Sequence, residues 1–424
     1  MSLLEKIGMI KVYCKKIKKS IHLPDRLDVF LLLALLILII SPFVINYFVR
    51  LNAERKQINL YLSPRFVDFF GEDLTNTLLR EFEGENPDLK IRILNDPDRE
   101  ADIFIFDEGE FSGFAASESL INLSPYSSRR SIVQQRAVPL VSFMDLLFYN
   151  IELLETLGFD RPPKTREEFL AYARAGSYED STRHANMSGT AFSLSPQDRL
   201  AMSRDIFSWI WASGNDFWHD ENRPVLNAAA SSDLSFLRSL YNDRVLAYGI
   251  FDSTGEQRLR EFAQGRIVMM IASAGAIPFL RESMGDDAFG ITNIPGSGLG
   301  GRYSAGLSGI YAGINVNSSS PDKAWAFVSF LAEQSPLFCE MFKAIPGMLS
   351  EIIPGDYVKD DPFYSKAWDI YESSRIVNGF LRNPDAEKYE NAFLEEMQAF
   401  FRSTRPPQET ITAIQQRWDA ITGQ

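Results

Sequence analysis

The chain has 424 residues, 45% of them hydrophobic, and a formal net charge of −13. The 56 acidic against 43 basic side chains argue against a nucleic-acid partner, which calls for a basic face. Only two cysteines occur, Cys14 and Cys339, so no disulfide framework is at hand and the fold must rest on burial.

In chain order, the first feature is a basic tail. Residues 1–27 hold seven Lys and Arg against Glu5 and Asp25, a net +5, which leaves −18 on the remainder. The run Val29–Val49 (VFLLLALLILIISPFVINYFV) then carries no charge, and Arg50 closes it. At about 1.5 Å per residue it spans about 31 Å, close to the hydrocarbon thickness of a bilayer. This predicts one transmembrane helix. Basic flanks stay inside, so the N-terminus is cytoplasmic and the large body extracytoplasmic, on a single-pass inner-membrane protein. A cleaved signal peptide is the competing reading. The run is longer than a signal core, Leu51-Asn52-Ala53 is a weak cleavage site, and no Cys follows for lipid attachment. An uncleaved signal anchor is expected, with Cys14 and Cys339 on opposite sides of the membrane.

The body alternates short apolar runs with amphipathic stretches, the pattern of an α/β fold. Strands are predicted at Ile58–Leu62, Leu89–Leu94 and Ile103–Phe106, with a helix over about Glu72–Glu83 after the polar loop Ser63-Pro64-Arg65. Val138–Tyr149 reads as a long strand, followed by a short helix at Ile151–Leu157. Thr165 and Glu168 form a capping box that opens the next helix. An aromatic-rich helix is predicted at Leu200–Ala212, and strands at Gly265–Ile271, Ala288–Ile294 and Gly309–Val316. Helices follow at Pro321–Ala332, Ala386–Phe401 and Gln408–Ile421. Trp325, in the stripe Ala324, Phe327, Val328 and Leu331, is expected in the core.

Several segments carry a resemblance. Glu81–Ile91 (EFEGENPDLKI) is similar to an "eFe..nPdikV" opening, and Asp102–Tyr126 to "pDiif.d...l..la..g.l.dLtpy". Leu147–Leu170 (LFYNIELLETLGFDRPPKTREEFL) is close to "l.YNkdlfekaGld.pPkTwdEfl", the most specific of the set. Trp209–Trp218 (WIWASGNDFW), Phe262–Ile271 (FAQGRIVMMI), Phe289–Gly296 (FGITNIPG) and Ala312–Leu331 (AGINVNSSSPDKAWAFVSFL) continue it, and Ile345–Leu349 falls where a "g.lPa" turn belongs. In this order the pieces resemble the extracellular solute-binding proteins of ABC importers, specifically the carbohydrate-binding family that includes maltose-binding protein.

The resemblance implies a two-lobed periplasmic-binding-protein-like fold (type II), here preceded by the transmembrane helix. It implies lobe closure on a solute and ABC permease subunits as membrane partners. The chain would divide into a basic tail (1–28), the anchor (29–49), lobe 1 (57–138 plus 309–350) and lobe 2 (139–308 plus 351–424). Ligands of α/β sheets collect at the carboxyl ends of strands. That rule selects Ser63 and Arg65 after the first strand, and Asp107, Glu108 and Glu110 after the third. It also selects Trp211, Asn215 and Trp218 around Gly214, then Ser273 and Gly275, then Tyr303. Aromatic rings cover sugar faces, and charged or amide groups bind the hydroxyls. One departure stands out: many family members place a stacking Trp where this chain has Ala274-Gly275.

Other chemistry finds no constellation. Gly296-x-Gly298-x-x-Gly301 matches a dinucleotide fingerprint only formally, because a β-like run rather than a helix follows it. His22, His184 and His219 are scattered, so no zinc cluster is expected. Ser308 lacks the spacing of a nucleophile elbow. The expected function is capture of a small solute, a carbohydrate, for an ABC import system, with no enzyme activity, cofactor or metal. The alternatives are a non-transport sensory or structural protein that retains the binding fold, and a cleft hydrolase.

Overall fold

The structure is a computed structural model that describes residues 40–41, 56–94, 100–107, 110–111, 113–114, 118–126, 136–180, 185–215, 217–220, 223–297, 304–342, 356–377 and 385–423. The chain divides into two compact units, Met1–Gln57 with Glu83–Lys90, and Ile58–Phe82 with Ile91–Gln424. In the first, Lys56 N–H donates to the Asp88 carbonyl at 2.8 Å. The apolar run 29–49 lies outside the described residues except at 40–41. Among the described residues no helix is long and apolar enough to cross a membrane.

The described residues form a ten-stranded sheet, most of which lies in the second unit. Its strands are β1 (Lys56–Leu62), β2 (Leu89–Leu94), β3 (Ile103–Asp107), β4 (Ala137–Asn150), β5 (Tyr178–Asp180) and β6 (Ala185–Ala191). A separate hairpin, β7 (Trp218–Asp220) with β8 (Arg223–Pro224), comes next in the chain. The large sheet resumes with β9 (Ile267–Ser273), β10 (Phe289–Thr292), β11 (Ser304–Ile314) and β12 (Arg375–Val377). The order is β2-β1-β3-β11-β4-β9-β6-β5, with β10 beside β4 and β12 beside β11.

Two long strands hold this sheet together by changing partners. The first half of β4 pairs antiparallel with β11, out to Met144↔Leu307. From Asp145 onward it pairs with β9, starting at Asp145↔Ser273, and its last residues also pair with β10. In turn, β11 pairs with β12 over Ser304–Gly306 and with β4 and β3 beyond. A register shift between Ile310 and Tyr311 faces Pro139, a residue with no N–H for the ladder. Covered on both faces, β4 reads as one apolar run. Leu147 enters one core cluster and Met144, Leu146 and Phe148 the other, the period-two alternation of a strand.

The helices that matter below are α1 (Pro64–Glu85), α2 (Arg166–Ala175), α3 (Arg199–Ala212), α4 (Ala230–Asn242), α5 (Gly255–Ala263), α6 (Pro321–Glu333), α7 (Ala386–Arg402) and α8 (Pro407–Thr422). Three differ from expectation. First, α1 starts at Pro64 and not near Glu72, with a non-helical Gly71 (φ 64°) inside; proline suits the first helical turn and glycine the positive φ. At α2, Thr165 does accept from the Glu168 N–H at 3.2 Å. The Glu168 carboxylate, however, reaches the Lys164 N–H at 2.8 Å and Arg161 at 2.7 Å, so the box is not reciprocal. Finally, Trp325 on α6 is half-buried, its ring 5.6 Å from that of Tyr126. It lies one residue off the Ala324–Phe327–Leu331 stripe, about 100° around the helix.

The largest core cluster joins α2, α3 and α4 to the C-terminal helices α7 and α8. Phe207 of α3 meets Phe393 of α7 edge-on at 4.7 Å. Trp418 of α8 is fully buried, stacks on Phe393 at 6.1 Å and donates its indole N–H to the Tyr389 carbonyl at 3.0 Å.

Candidate functional site

The parallel strands β1 and β3 end side by side, pairing through Leu62↔Ile105. Ser63 follows β1, with its N–H donating to the Ile105 carbonyl at 3.2 Å. Asp107 closes β3. Its carboxylate accepts from the Glu110 N–H at 3.0 Å, while the Glu110 carboxylate accepts from the Asp107 N–H at 3.2 Å. This reciprocal turn holds two carboxylates at the carboxyl edge of the sheet, where α/β folds keep their ligand sites.

Opposite them lies the loop after β6 and the start of α3. Asp198 caps α3, one oxygen accepting from the Ala201 N–H at 3.1 Å and the other from the Gly255 N–H at 2.8 Å. That second bond ties the N-terminus of α5 to that of α3. A Cβ at Gly255 would stand 2.8 Å from the Ala201 Cβ, so only glycine allows the approach. Next to the cap, Arg199 reaches α7. It lies 2.7 Å from Glu387, 3.7 Å from Glu390 and 3.5 Å from the Asn391 amide oxygen. Burial pushes the Glu390 carboxyl up to about 7, although Arg199 opposes the shift.

Between these walls is a cavity of about 860 Å³. Ser63, Asp107 and Glu110 line it from the β1/β3 edge. Pro196, Gln197 and Asp198 line it from the loop before α3, Arg199 and Met202 from α3 itself, and Glu387, Asn391, Leu394, Glu395 and Gln398 from α7. The size suits a small molecule. The lining offers a hydroxyl, amides, carboxylates and one guanidinium.

The residues singled out from sequence fall in several places. Ser63, Asp107 and Glu110 line the cavity. Trp211 does not: it is buried, with rings of Phe207 and Phe217 at 5.4 and 5.9 Å. It packs where β4 and β11 change partners; a Cβ at Gly306 would stand 2.7 Å from both the Trp211 ring and the Asp145 carboxylate. Trp209 is also buried, against Phe169 and Phe236. The Asn215 amide donates to Asp233 at 2.9 Å, within a buried network that also includes Ser213 and Arg166. Ser273 turns back to accept from the Gly275 N–H at 3.3 Å. Gly275 itself lies against the half-buried Phe143, whose ring would be 3.1 Å from an added Cβ. Arg65 sits in α1 and Trp218 in β7, their side chains outside the described set; Glu108 and Tyr303 lie outside the described residues altogether.

Sequence reasoning missed the α3 and α7 walls. The loop Ser195–Asp198 follows β6, and the carboxyl-end rule would have found it had Ala185–Ala191 been recognised as a strand. Its Gly and Ser weaken the β signal. For α7 there was no local signal: Glu387 is 188 residues from Arg199 in the chain. Among the described residues no group of three His, Cys, Asp or Glu side chains could hold a metal ion.

Comparison with known proteins gives the family and the fold. Residues 78–335, more than half the chain, match the bacterial extracellular solute-binding protein family. Binding proteins of Brucella abortus and Brucella suis are 22% identical over 204 residues, and the chain spans about half (46%) of their length. Among solved structures, the chain is similar to maltose-bound MalE3 of T. maritima, at 20% identity and a TM-score of 0.66, covering 86% of this chain and 99% of that one. A solute-binding protein of Thermotoga lettingae with α-D-tagatose gives 16% and 0.68, covering 87% and 100%. UgpB of Mycobacterium tuberculosis with glycerophosphocholine gives 17% and 0.67, covering 86% and 98%. At these identities the structural likeness speaks for the fold, and the fold is that of two-lobed periplasmic binding proteins. The chain belongs to the family of bacterial extracellular solute-binding proteins.

Proposed function

We propose that the protein is a membrane-anchored, extracytoplasmic solute receptor that captures a small carbohydrate in the cleft between two lobes and delivers it to ABC permease subunits. The observation that carries this reading is the 860 Å³ cavity, walled by the ends of β1 and β3 on one side and by α3 and α7 on the other. The proposed lobes are 57–138 plus 309–350 and 139–308 plus 351–424. They are supported by the partner changes of β4 at Met144/Asp145 and of β11 at Gly306/Leu307; the third crossing, near 350, lies outside the described residues. Binding is reversible and makes no covalent bond, so closure of the lobes is the working step. Ser63 and Asp107 are proposed to contact the ligand, with Arg65 beside them. The other residues proposed as contacts are Glu108, Asn215, Trp218, Ser273, Gly275 and Tyr303. The anchor rests on the uncharged run Val29–Val49 and its basic flank, and would keep the receptor at high effective concentration near its permease.

Calorimetry and thermal-shift titration against a panel of sugars test this directly. A ligand at a hundred times its Kd stabilises by about 2.7 kcal/mol, a shift of several degrees or less at this size. Silence across sugars, polyols, amino acids and phosphosugars overturns the receptor reading. A second reading, a sensory or structural protein that keeps the fold, is favoured by one observation. Gly275 packs on Phe143 in the turn where many family members have a stacking Trp. That reading expects the silence.

A further inference from the structure

The partner change of β4 is also where buried charge gathers. Met144 is the last residue that β4 pairs with β11, and Asp145 the first that it pairs with β9. The Asp145 carboxylate and the Trp211 ring of α3 both stand 2.7 Å from where a Cβ on Gly306 would be. Gly306 is in turn the residue at which β11 gives up β12. Glycine lets β11 close on the carboxylate there, so Asp145 sits where β4, β11 and α3 are drawn together.

A second buried carboxylate, Asp205, comes from α3 itself. It accepts from the Ser193 N–H after β6 at 2.7 Å and lies 3.8 Å from Arg204 Nε. Arg204 attracts both aspartates, while Asp145 and the capping Asp198 repel Asp205. The strands beside Asp145 contribute Ser273 of β9, directly opposite it, and Gly306 of β11, and neither titrates.

Burial pushes the Asp145 carboxyl up to about 7 against the pull of Arg204. Burial does the same to Asp205, with Arg204 and the Ser193 N–H opposing and the two neighbouring aspartates adding to the rise. Each carboxyl returns to its ordinary range only if water reaches it. In a close-packed crossing, water enters when the strands and α3 move apart. Opening therefore releases protons and closing takes them up.

We propose that the crossing of β4, β11 and α3 is a proton-linked hinge: protonation of Asp145 and Asp205 holds it closed, and their ionisation loosens it and lowers solute affinity. This rests on the two-lobe reading of the chain, whichever solute binds. The sign follows from the raised folded values. Closure is favoured at acid pH, weakens as pH rises from about 4 to about 7, and changes little above that.

The test needs no solute. Spin labels are placed on the full-length chain in detergent at Glu333→Cys on α6 and Ser235→Cys on α4, one in each proposed lobe, with Cys14→Ser. Cys339 stays, since its thiol is buried and pushed up to about 12, and such thiols are inert. The distance between labels, read by pulsed electron resonance, should be longer and broader at pH 8 than at pH 5. Asp145→Asn and Asp205→Asn should each reduce that change. Arg204→Gln should move its midpoint to higher pH, which a merely structural defect would not do. A distance that ignores pH, a change that both Asn variants retain in full, or an unmoved midpoint in Arg204→Gln overturns the hinge. Any solute found in the sugar panel should bind more weakly at pH 8 than at pH 5, by at most tenfold per pH unit for each linked proton; constant affinity overturns the link to capture. Silence across the panel counts against the receptor reading alone, and the label distances still decide the hinge.

Discussion

Two arginine–carboxylate pairs in this molecule make the same bond for different ends. Arg166 and Asp233 meet at 2.6 Å with side chains only 5% and 0% exposed. Arg199 and Glu387 meet at 2.7 Å with side chains 22% and 57% exposed. The buried pair is surrounded by further partners. Asp233 also accepts from Ser213 and Asn215, Arg166 also donates to the Trp209 and Pro295 carbonyls, and the Arg166 guanidinium lies over the Phe236 ring at 4.9 Å. Burial raises the Asp233 pKa against the pull of Arg166 and its other donors. The network thereby fixes the turn after α3 to the loop at Pro295. The wet pair opens on the cavity, with Asp198 and Glu395 also in its lining. A charge pair locks a fold where burial strips it of water, and remains available to a ligand where it faces an open cavity.

The contrast can be broken most sharply at Arg166. Arg166→Ala leaves Asp233 charged and buried, and should cost about 3–5 kcal/mol in a denaturant titration. A loss under about 1 kcal/mol would show that water replaces the guanidinium and that the pair is no lock. At the junction of the strand sets, Gly306→Val pushes a side chain into Asp145 and Trp211, both 2.7 Å from the added Cβ. It should cost about 1–3 kcal/mol and weaken solute binding through the crossing strands, read by calorimetry on the folded fraction.

The third prediction concerns pH. Burial pushes Asp145, Asp205 and Glu390 each up to about 7. Their folded pKa values exceed the unfolded ones of about 4, so between about 4 and 7 the folded state holds more protons than the unfolded. Stability should fall as pH rises through that window and level off above about 7. Asp145→Asn should flatten the slope of melting temperature against pH; an unchanged slope would show that Asp145 is hydrated. The smallest effect is expected at the wet pair. Arg199→Gln should change stability by about 1 kcal/mol or less but alter affinity for whichever solute binds, so a large loss of stability with unchanged affinity would reverse the comparison.

The legibility of the molecule follows the range of the forces involved. Helices α3, α6, α7 and α8 were readable to within a residue or two, because side chains three and four apart on one face must all find the core. β4 was readable from its apolar run, and Ser63, Asp107 and Glu110 from the rule that strand ends face the ligand. The family resemblance, carried by motifs such as Leu147–Leu170, added the overall scheme. Missing were the features that depend on partners far along the chain. These include the handover of β4 from β11 to β9 at Asp145, the docking of Trp211 on Gly306, the capture of Asn215 by Asp233 and the α7 wall of the cavity.

By itself, then, the sequence determined the type of each element it marked, the α/β class, the charge of the body and three residues of the cavity, since periodicity, capping and composition act within a few residues. Only the tertiary structure decided which aromatics are core, which carboxylates are paired and which face the cavity. Those outcomes depend on register and on contacts between segments up to about two hundred residues apart, and no local pattern encodes them.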